Sequence, residues 1–183
     1  SSLGPDVTTP EIRTARLLLR GWRDEDRPAW AAINADPLVR ATLGPLQTRQ
    51  QADATIDAII AEWDEHGLGL WCVDLDGECI GFAGLNVPSF EAAFTPCVEV
   101  GWRLASLHWG NGYAPEAGRV ALDFGFGERG LDEIVSFTAV TNHNSRRVME
   151  KLGMTYDPSA DFDHPNVRGP LQRHVLYRIA AYR

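Results

Sequence analysis

The chain has 183 residues, enough for one domain with a proper core, and its 44% hydrophobic and 23% charged content is that of an ordinary soluble globular protein. Seventeen basic side chains against 25 acidic ones give a formal charge of -8, which argues against a general nucleic-acid binder and sits comfortably with a cationic substrate such as an amine. Three cysteines without a C-x-x-C pair argue against a disulfide framework and for a reducing, cytoplasmic setting. No apolar run reaches membrane-spanning length, and Ser1 to Pro10 has no basic start or apolar stretch of a signal peptide.

In chain order, residues 1–13 read as a loose lead-in and residues 14–183 as a single domain without a repeat or linker. Arg16 to Arg20 is a short apolar strand. Asp24 caps a helix running to about Asn34, with Trp30 and Ile33 inward. Thr48 opens a longer helix to about His66, whose stripe is Ala52, Ile56, Ile59, Ile60 and Trp63, and Gly67 ends it. Two strands, Gly69 to Leu75 and Glu78 to Leu85, join at an Asp76-Gly77 turn that sets Cys79 opposite Asp74. A proline-bearing loop, Val87 to Pro96, leads to a strand from Cys97 to Leu104.

Next comes Trp109-Gly110-Asn111-Gly112-Tyr113-Ala114-Pro115-Glu116, followed by apolar residues at Tyr113, Ala117, Val120, Ala121 and Phe124, the spacing of one helical face. A glycine-bearing loop therefore feeds a helix N-terminus, where free backbone N–H groups and the positive end of the helix dipole converge. That arrangement suits a phosphate or pyrophosphate and predicts a phosphate-bearing cofactor. Glu133 to Val140 is a further strand, Asn142 to Leu152 a short helix with Val148, Met149 and Leu152 inward, Asp157 to Pro170 a loop, and His174 to Ile179 a last strand. The order predicts an α/β (mixed α+β) domain, a mixed sheet with helices on both faces.

Four segments in this order carry a resemblance: Thr14 to Arg20; Val98 to Leu104; Trp109 to Ala117; and Asn142-His143-Asn144-Ser145-Arg146-Arg147-Val148-Met149-Glu150-Lys151-Leu152-Gly153-Met154. Together they resemble the GNAT acetyltransferase superfamily, and within it the RimJ/RimL-like branch that acetylates ribosomal proteins. The resemblance implies a mostly antiparallel twisted sheet with two strands splayed to admit coenzyme A, and acetyl-CoA as donor. It implies that pyrophosphate sits on the backbone of Trp109, Gly110, Asn111, Gly112, Tyr113 and Ala114. It places pantetheine between the strand at Trp102, Arg103 and Leu104 and the strand around Phe137 to Val140, with an N–H near Leu104 facing the thioester oxygen. Asn142 matches the family's asparagine, and Ser145 is then close to the sulfur and a candidate acid for the leaving thiolate. Two departures stand out: Leu107 where the loop pattern often has Gln or Arg, and Met149 where many members have a tyrosine.

Glu99, between Val98 and Val100, points opposite to both. Facing the cleft, a partly desolvated carboxylate there is a candidate base for an incoming ammonium. Cys97 shares that face but has no histidine and acid to make it a thiolate. His108, His143, His164 and His174 show no zinc spacing, so no metal is expected. Trp22, Trp71 and Trp102 are candidates for an acceptor cleft, with packing the default role. Pro37 to Thr48 and Val87 to Pro96 are expected to shape that pocket.

The reading is an N-acetyltransferase moving acetyl from acetyl-CoA to a primary amine by direct attack, with a protein or peptide N-terminus as acceptor. A small amine such as a polyamine or antibiotic stays open, as does a non-catalytic acyl-CoA-binding module. A dinucleotide oxidoreductase fits less well, because the glycines come late and a third is absent. Expected partners are acetyl-CoA and the amine, with no nucleic acid and no membrane, in a monomer or homodimer.

Overall fold

The computed structural model describes residues 9–182. Nine strands form one sheet in the order β1-β2-β3-β4-β5-β6-β9-β7, with β8 also pairing β9. The strands are β1 (Ile12–Arg13), β2 (Leu18–Arg20), β3 (Leu70–Leu75), β4 (Glu78–Asn86), β5 (Glu99–Leu104), β6 (Glu133–Ala139), β7 (Thr155–Tyr156), β8 (Phe162–Asp163) and β9 (Arg173–Ala180). Every pairing is antiparallel except β5 with β6. The mixed, mostly antiparallel sheet expected from the sequence is the one observed.

The helices are α1 (Arg27–Asn34), α2 (Pro37–Arg40), α3 (Arg49–His66), α4 (Tyr113–Asp123) and α5 (His143–Lys151). Each longer helix starts where its local chemistry permits. Thr48 and Gln51 exchange side-chain bonds with each other's backbone at the start of α3, satisfying two otherwise orphaned N–H groups. Asn142 Oδ1 accepts from Ser145 N at 3.2 Å at the start of α5. The β3–β4 turn has positive φ at both Asp76 (52°) and Gly77 (90°), the backbone that matches strand twist in a two-residue hairpin. Cys79 pairs with Asp74, as the turn predicts.

Helices cover both faces. α1 and the first half of α3 enclose Trp30, Ile33, Ala52 and Ile56 together with Val39, with Phe82 of β4 packed against them. On the other side Ala117, Ala121 and Leu122 of α4, Met149 of α5 and Leu152 at the C-cap of α5 join Trp71, Leu85, Val100, Ile134 and Tyr177 in the larger core.

Several expectations need correction. Ile12–Arg13, placed in the loose lead-in, pair with Leu18 and Leu19, and Pro10 O accepts from Trp71 Nε1 at 2.8 Å. Residues 1–8 lie outside the described part. Ile60 is 41% exposed, so the α3 stripe leans away from it. The loop 157–170 contains β8, and α2 and β7 were not foreseen, because elements of two to four residues leave no period to read. Trp71 is fully buried, and Trp22 packs on the core with Nε1 donating to Leu70 O at 3.1 Å.

One buried ion cluster ties β2 to its neighbours. Arg20, 2% exposed, donates Nε to Asp74 at 2.8 Å and both Nη groups to Asp26 at 2.8 Å. Burial alone would push the Asp26 carboxyl up, but the bonds from Arg20 and from Arg23 N–H outweigh it and hold it below the usual carboxylate value. Removing the cation strands two buried carboxylates. Arg20→Leu should lose about 3–5 kcal/mol of unfolding free energy in urea titration. The depressed pKa of Asp26 gives the native protein stability that fades as pH falls, so the deficit of the variant should shrink on acidification.

Candidate active site

The site begins where β5 leaves β6. The two strands pair only at Glu99 and Val135, with Val135 N donating to Val98 O at 2.9 Å and Ser136 Oγ to Val100 O at 2.8 Å. Toward its C-terminal end β5 stays bonded to β4 alone, through Ala105 N donating to Ile80 O at 2.9 Å. Alternate residues of an antiparallel strand turn their polar groups to opposite neighbours. By that alternation Glu99, Gly101 and Arg103 bond β4, while Trp102 and Leu104 turn their N–H groups into the gap. Leu104 O accepts from Trp109 Nε1 at 3.0 Å, which fixes the start of the glycine loop to the strand.

The loop bares main-chain nitrogen. Gly110 and Gly112 both have φ of 80°, a conformation L side chains avoid, and Gly112 stands at the N-cap of α4 without a side-chain cap. The first-turn N–H groups of Tyr113 and Ala114 are thus uncovered, and a Cβ at Gly110 would meet nothing within 4 Å. The N-terminal segment braces this loop from behind. Arg16 donates to Asn111 O at 2.8 Å and to Glu116 at 2.8 Å, and Thr14 Oγ1 donates to the same carboxylate at 2.6 Å. Burial pushes the Glu116 carboxyl up, and these bonds bring it below its ordinary value.

A cavity of about 660 Å³ lies between the end of β5, the loop, α4 and α5. Its wall includes Trp102, Arg103, Leu104, Trp109, Gly110, Gly112, Tyr113, Ala114, Asn142 and Ser145. Of the residues the sequence assigned to the cofactor, Asn111 is missing from the wall. Its side chain bonds His108 O and Trp109 O instead and shapes the loop from within. Arg103 enters by its place on the strand, but its side chain turns to the opposite face, where Nη1 donates to Asn34 Oδ1 at 2.8 Å. Arg147 and Lys151 supply cations to the wall and were not singled out from sequence, although their i, i+4 spacing on α5 puts them on one face. Uncovered amides, open glycines and these two cations are the donor set an anionic nucleotide needs, so the residues fit coenzyme A.

A second cavity of about 370 Å³ shares Thr42, Leu43, Trp102, Arg103, Asn142 and Ser145 with the first, so the two meet at the mouth of the strand gap. Glu99 lines it. Burial pushes its carboxyl up to about 8, and the one side-chain bond opposing that shift comes from Asn86 Nδ2 at 3.3 Å. Met149 also lines this cavity. Cys97, near Glu99, has its thiol pushed up to about 11 by burial and then by the Glu99 charge, so a thiolate is disfavoured there.

The stretch Pro37 to Thr48 contributes Arg40, Thr42, Leu43 and Gln47 to this wall, as expected. The loop Val87 to Pro96 acts one layer back: Phe90 and Phe94 pack against Phe137 and Phe162 with centroids 4.8 to 6.2 Å apart, Phe162 and Phe94 being the closest. His164 and His174, 5.0 Å apart, complete that aromatic group and reach the cavity. Burial lowers the pKa of both, so both are neutral near pH 7. His164 sits in a loop with no local signal, and only the pairing of β8 with β9 brings it in. Among the described residues, the three groups close enough to share a metal are elsewhere, Asp26, Cys72 and Cys79. There Asp26 is already engaged by Arg20 through both oxygens.

A strand gap joined to a glycine loop on a helix N-terminus, with a half-buried carboxylate beside it, is an arrangement that suits an acyl-CoA-dependent transferase. The family model described as "Acetyltransferase (GNAT) domain" matches residues 16–155, and the chain belongs to that family. It is accordingly an acetyl-CoA-dependent N-acetyltransferase. The FsC-acetyl coenzyme A-N(2)-transacetylase of Aspergillus fumigatus is 30% identical over 80% of this chain and 66% of its own. The solved acetyltransferase of Agrobacterium tumefaciens is 30% identical, with a TM-score of 0.77 over 99% of this chain and 100% of that one. Mycobacterium smegmatis RimJ in complex with CoA-disulfide is similar at a TM-score of 0.72 over 90% of this chain and 82% of that one, and at 22% identity that likeness is one of fold.

Gly112→Trp would fill the loop and force a bulky side chain into φ of 80°. It should abolish acetyl-CoA binding in calorimetry at a stability cost of about 1–3 kcal/mol. Retained affinity would remove the loop from the site.

Proposed function

We propose that the protein acetylates a primary amine by direct attack on acetyl-CoA, with Glu99 as the base. The observation that carries this is the position of Glu99, a desolvated carboxylate lining a cavity that opens onto the strand gap. A carboxyl with a pKa of about 8 is well matched to taking a proton from an ammonium near neutral pH, directly or through water. The donor lies with its diphosphate on the amides of the glycine loop and its pantetheine along Trp102 and Leu104, whose N–H groups extend the sheet edge to it. Held there, the thioester oxygen faces an N–H near Leu104, which stabilises the developing negative charge.

Ser145 is the proposed proton source for the departing thiolate. It lines both cavities at their junction, its N–H is taken by Asn142, and its hydroxyl is available to the sulfur. Met149 supplies no proton, so a hydroxyl at the junction is the chemistry that remains, and Thr42 is the second one there. The acceptor enters on the side of α2. The RimJ/RimL-like motifs favour the α-amine of a peptide or protein, and the small second cavity also suits a free amine.

Glu99→Gln should lower kcat by about 10²- to 10⁴-fold while leaving the Kd for acetyl-CoA unchanged. The limb of the native pH–rate profile that rises toward about 8 should vanish in the variant. The stability sign is opposite to that of Asp26. A carboxyl raised in the fold costs stability as pH climbs from the ordinary carboxylate range to about 8, so the native protein should weaken relative to Glu99→Gln over that window. A native rate in the variant would make Glu99 a structural residue.

A further inference from the structure

The second cavity holds a charge that the fold leaves uncompensated. Arg40, at the end of α2, is 8% exposed, and its Nε bonds a main-chain oxygen, that of Pro45 at 2.9 Å. Arg103 leaves β5 on the Glu99 face, bonds the neutral amide of Asn34, and lies over the rings of Trp30 and Phe82 at 5.6 and 5.2 Å. Among the described residues, neither guanidinium has a carboxylate within ion-pair distance. Burial lowers both pKa values, and the Arg40 charge lowers Arg103 further, to about 10.

The most deeply buried arginine is treated differently. Buried Arg20 receives two carboxylates, and Arg16, Arg27, Arg49 and Arg178 each have at least one, in a chain with eight more acidic than basic side chains. Desolvated charges are ordinarily paired, since an unpaired one is strongly destabilising. Two like charges set near each other on one cavity wall therefore leave room for an anion. The phosphates of the donor do not account for it. Arg147 and Lys151 serve the first cavity, whereas Arg40 lines only the second. Gln47 adds an Oε1 that is buried without a donor on the same wall, fit for an N–H of the same ligand.

Resting on the acetyl-transfer reading above, we propose that the acceptor is an amine that also carries a carboxylate, held by Arg40 and Arg103 while the amine faces the thioester. Leu70, Phe82, Phe137 and Trp102 give the wall an apolar part beside polar Ser136, Thr138, His164 and His174, so an apolar body between the two groups has surface to pack on. A volume of about 370 Å³ admits a compact amino carboxylate or the first residues of a peptide bearing an acidic side chain. Both sources offer the same chemistry.

The test compares matched acceptor pairs by release of free thiol: phenylalanine with phenethylamine for the free compounds, and Ala-Asp-Phe with Ala-Asn-Phe amide for peptides. The carboxylate member of one pair should win by about 10- to 100-fold in kcat/KM, and the pair that shows it names the source. Arg40→Gln should bring that ratio toward unity, mainly through KM. Should the variant fail to fold, 3-phenylpropionate on the native protein decides: it should bind in calorimetry and compete with the acceptor but not with acetyl-CoA, while 3-phenylpropanol does neither. Equal turnover within both pairs, or no binding of 3-phenylpropionate, would overturn the proposal. Binding of 3-phenylpropionate without thiol release from any amine would keep the anion site and count against the transfer reading instead.

Discussion

The parting of β5 from β6 is the constraint on which the rest depends. A sheet interior normally leaves no main-chain polar group without a partner, because a desolvated N–H costs about as much as a lost hydrogen bond. Here the ladder stops after Glu99 and Val135, and the polar edge of Trp102 and Leu104 is turned to a cavity. An opening of that kind is stable only when its neighbours hold it from both sides. β4 grips β5 along its length, and β9 grips β6 from Glu133 to Ala139. The gap is therefore rigid on its flanks and unsatisfied at its centre, which is what a ligand with amides and a phosphate end can complete.

Everything with chemical potential is arranged around that opening by strand alternation and helix starts. Successive residues of β5 face opposite sides, so Val100, Trp102 and Leu104 join the larger core while Glu99 and Arg103 face α1 and the second cavity. The same alternation that buries the apolar side chains thus desolvates one carboxylate and one guanidinium. Two helix N-termini then meet the gap, α4 with bare amides and α5 with Asn142 and Ser145. The N-terminal strand region, through Arg16 and Thr14, fastens the α4 end by way of Glu116.

Much of this was legible in the sequence, and the reasons differ by element. Long periods and turn chemistry gave the α3 limits at Thr48 and Gly67, the Asp76-Gly77 hairpin, and the loop that ends at the start of α4. Glu99 was visible as a lone acid among valines. What stayed hidden depended on contacts between distant segments. Arg40 lies in a helix of four residues, and its lack of an ionic partner among the described residues is a property of the packed cavity. His164 reaches the site because β8 pairs β9, and Arg16 braces a loop some 95 residues away. Asn111 and Arg103 entered the reading through their backbone, and where their side chains turn, to the loop interior and to Asn34, was not legible from the segment alone.

In the proposed complex, bared nitrogens of the glycine loop and the free edge of β5 together hold coenzyme A. A crystal structure of the protein with coenzyme A bound tests it most directly. Diphosphate oxygens should lie about 3 Å from the N–H groups between Gly110 and Ala114, with pantetheine amides bonded to Trp102 and Leu104. Coenzyme A found outside the strand gap, or β5 and β6 zipped together beside it, would rule this binding mode out.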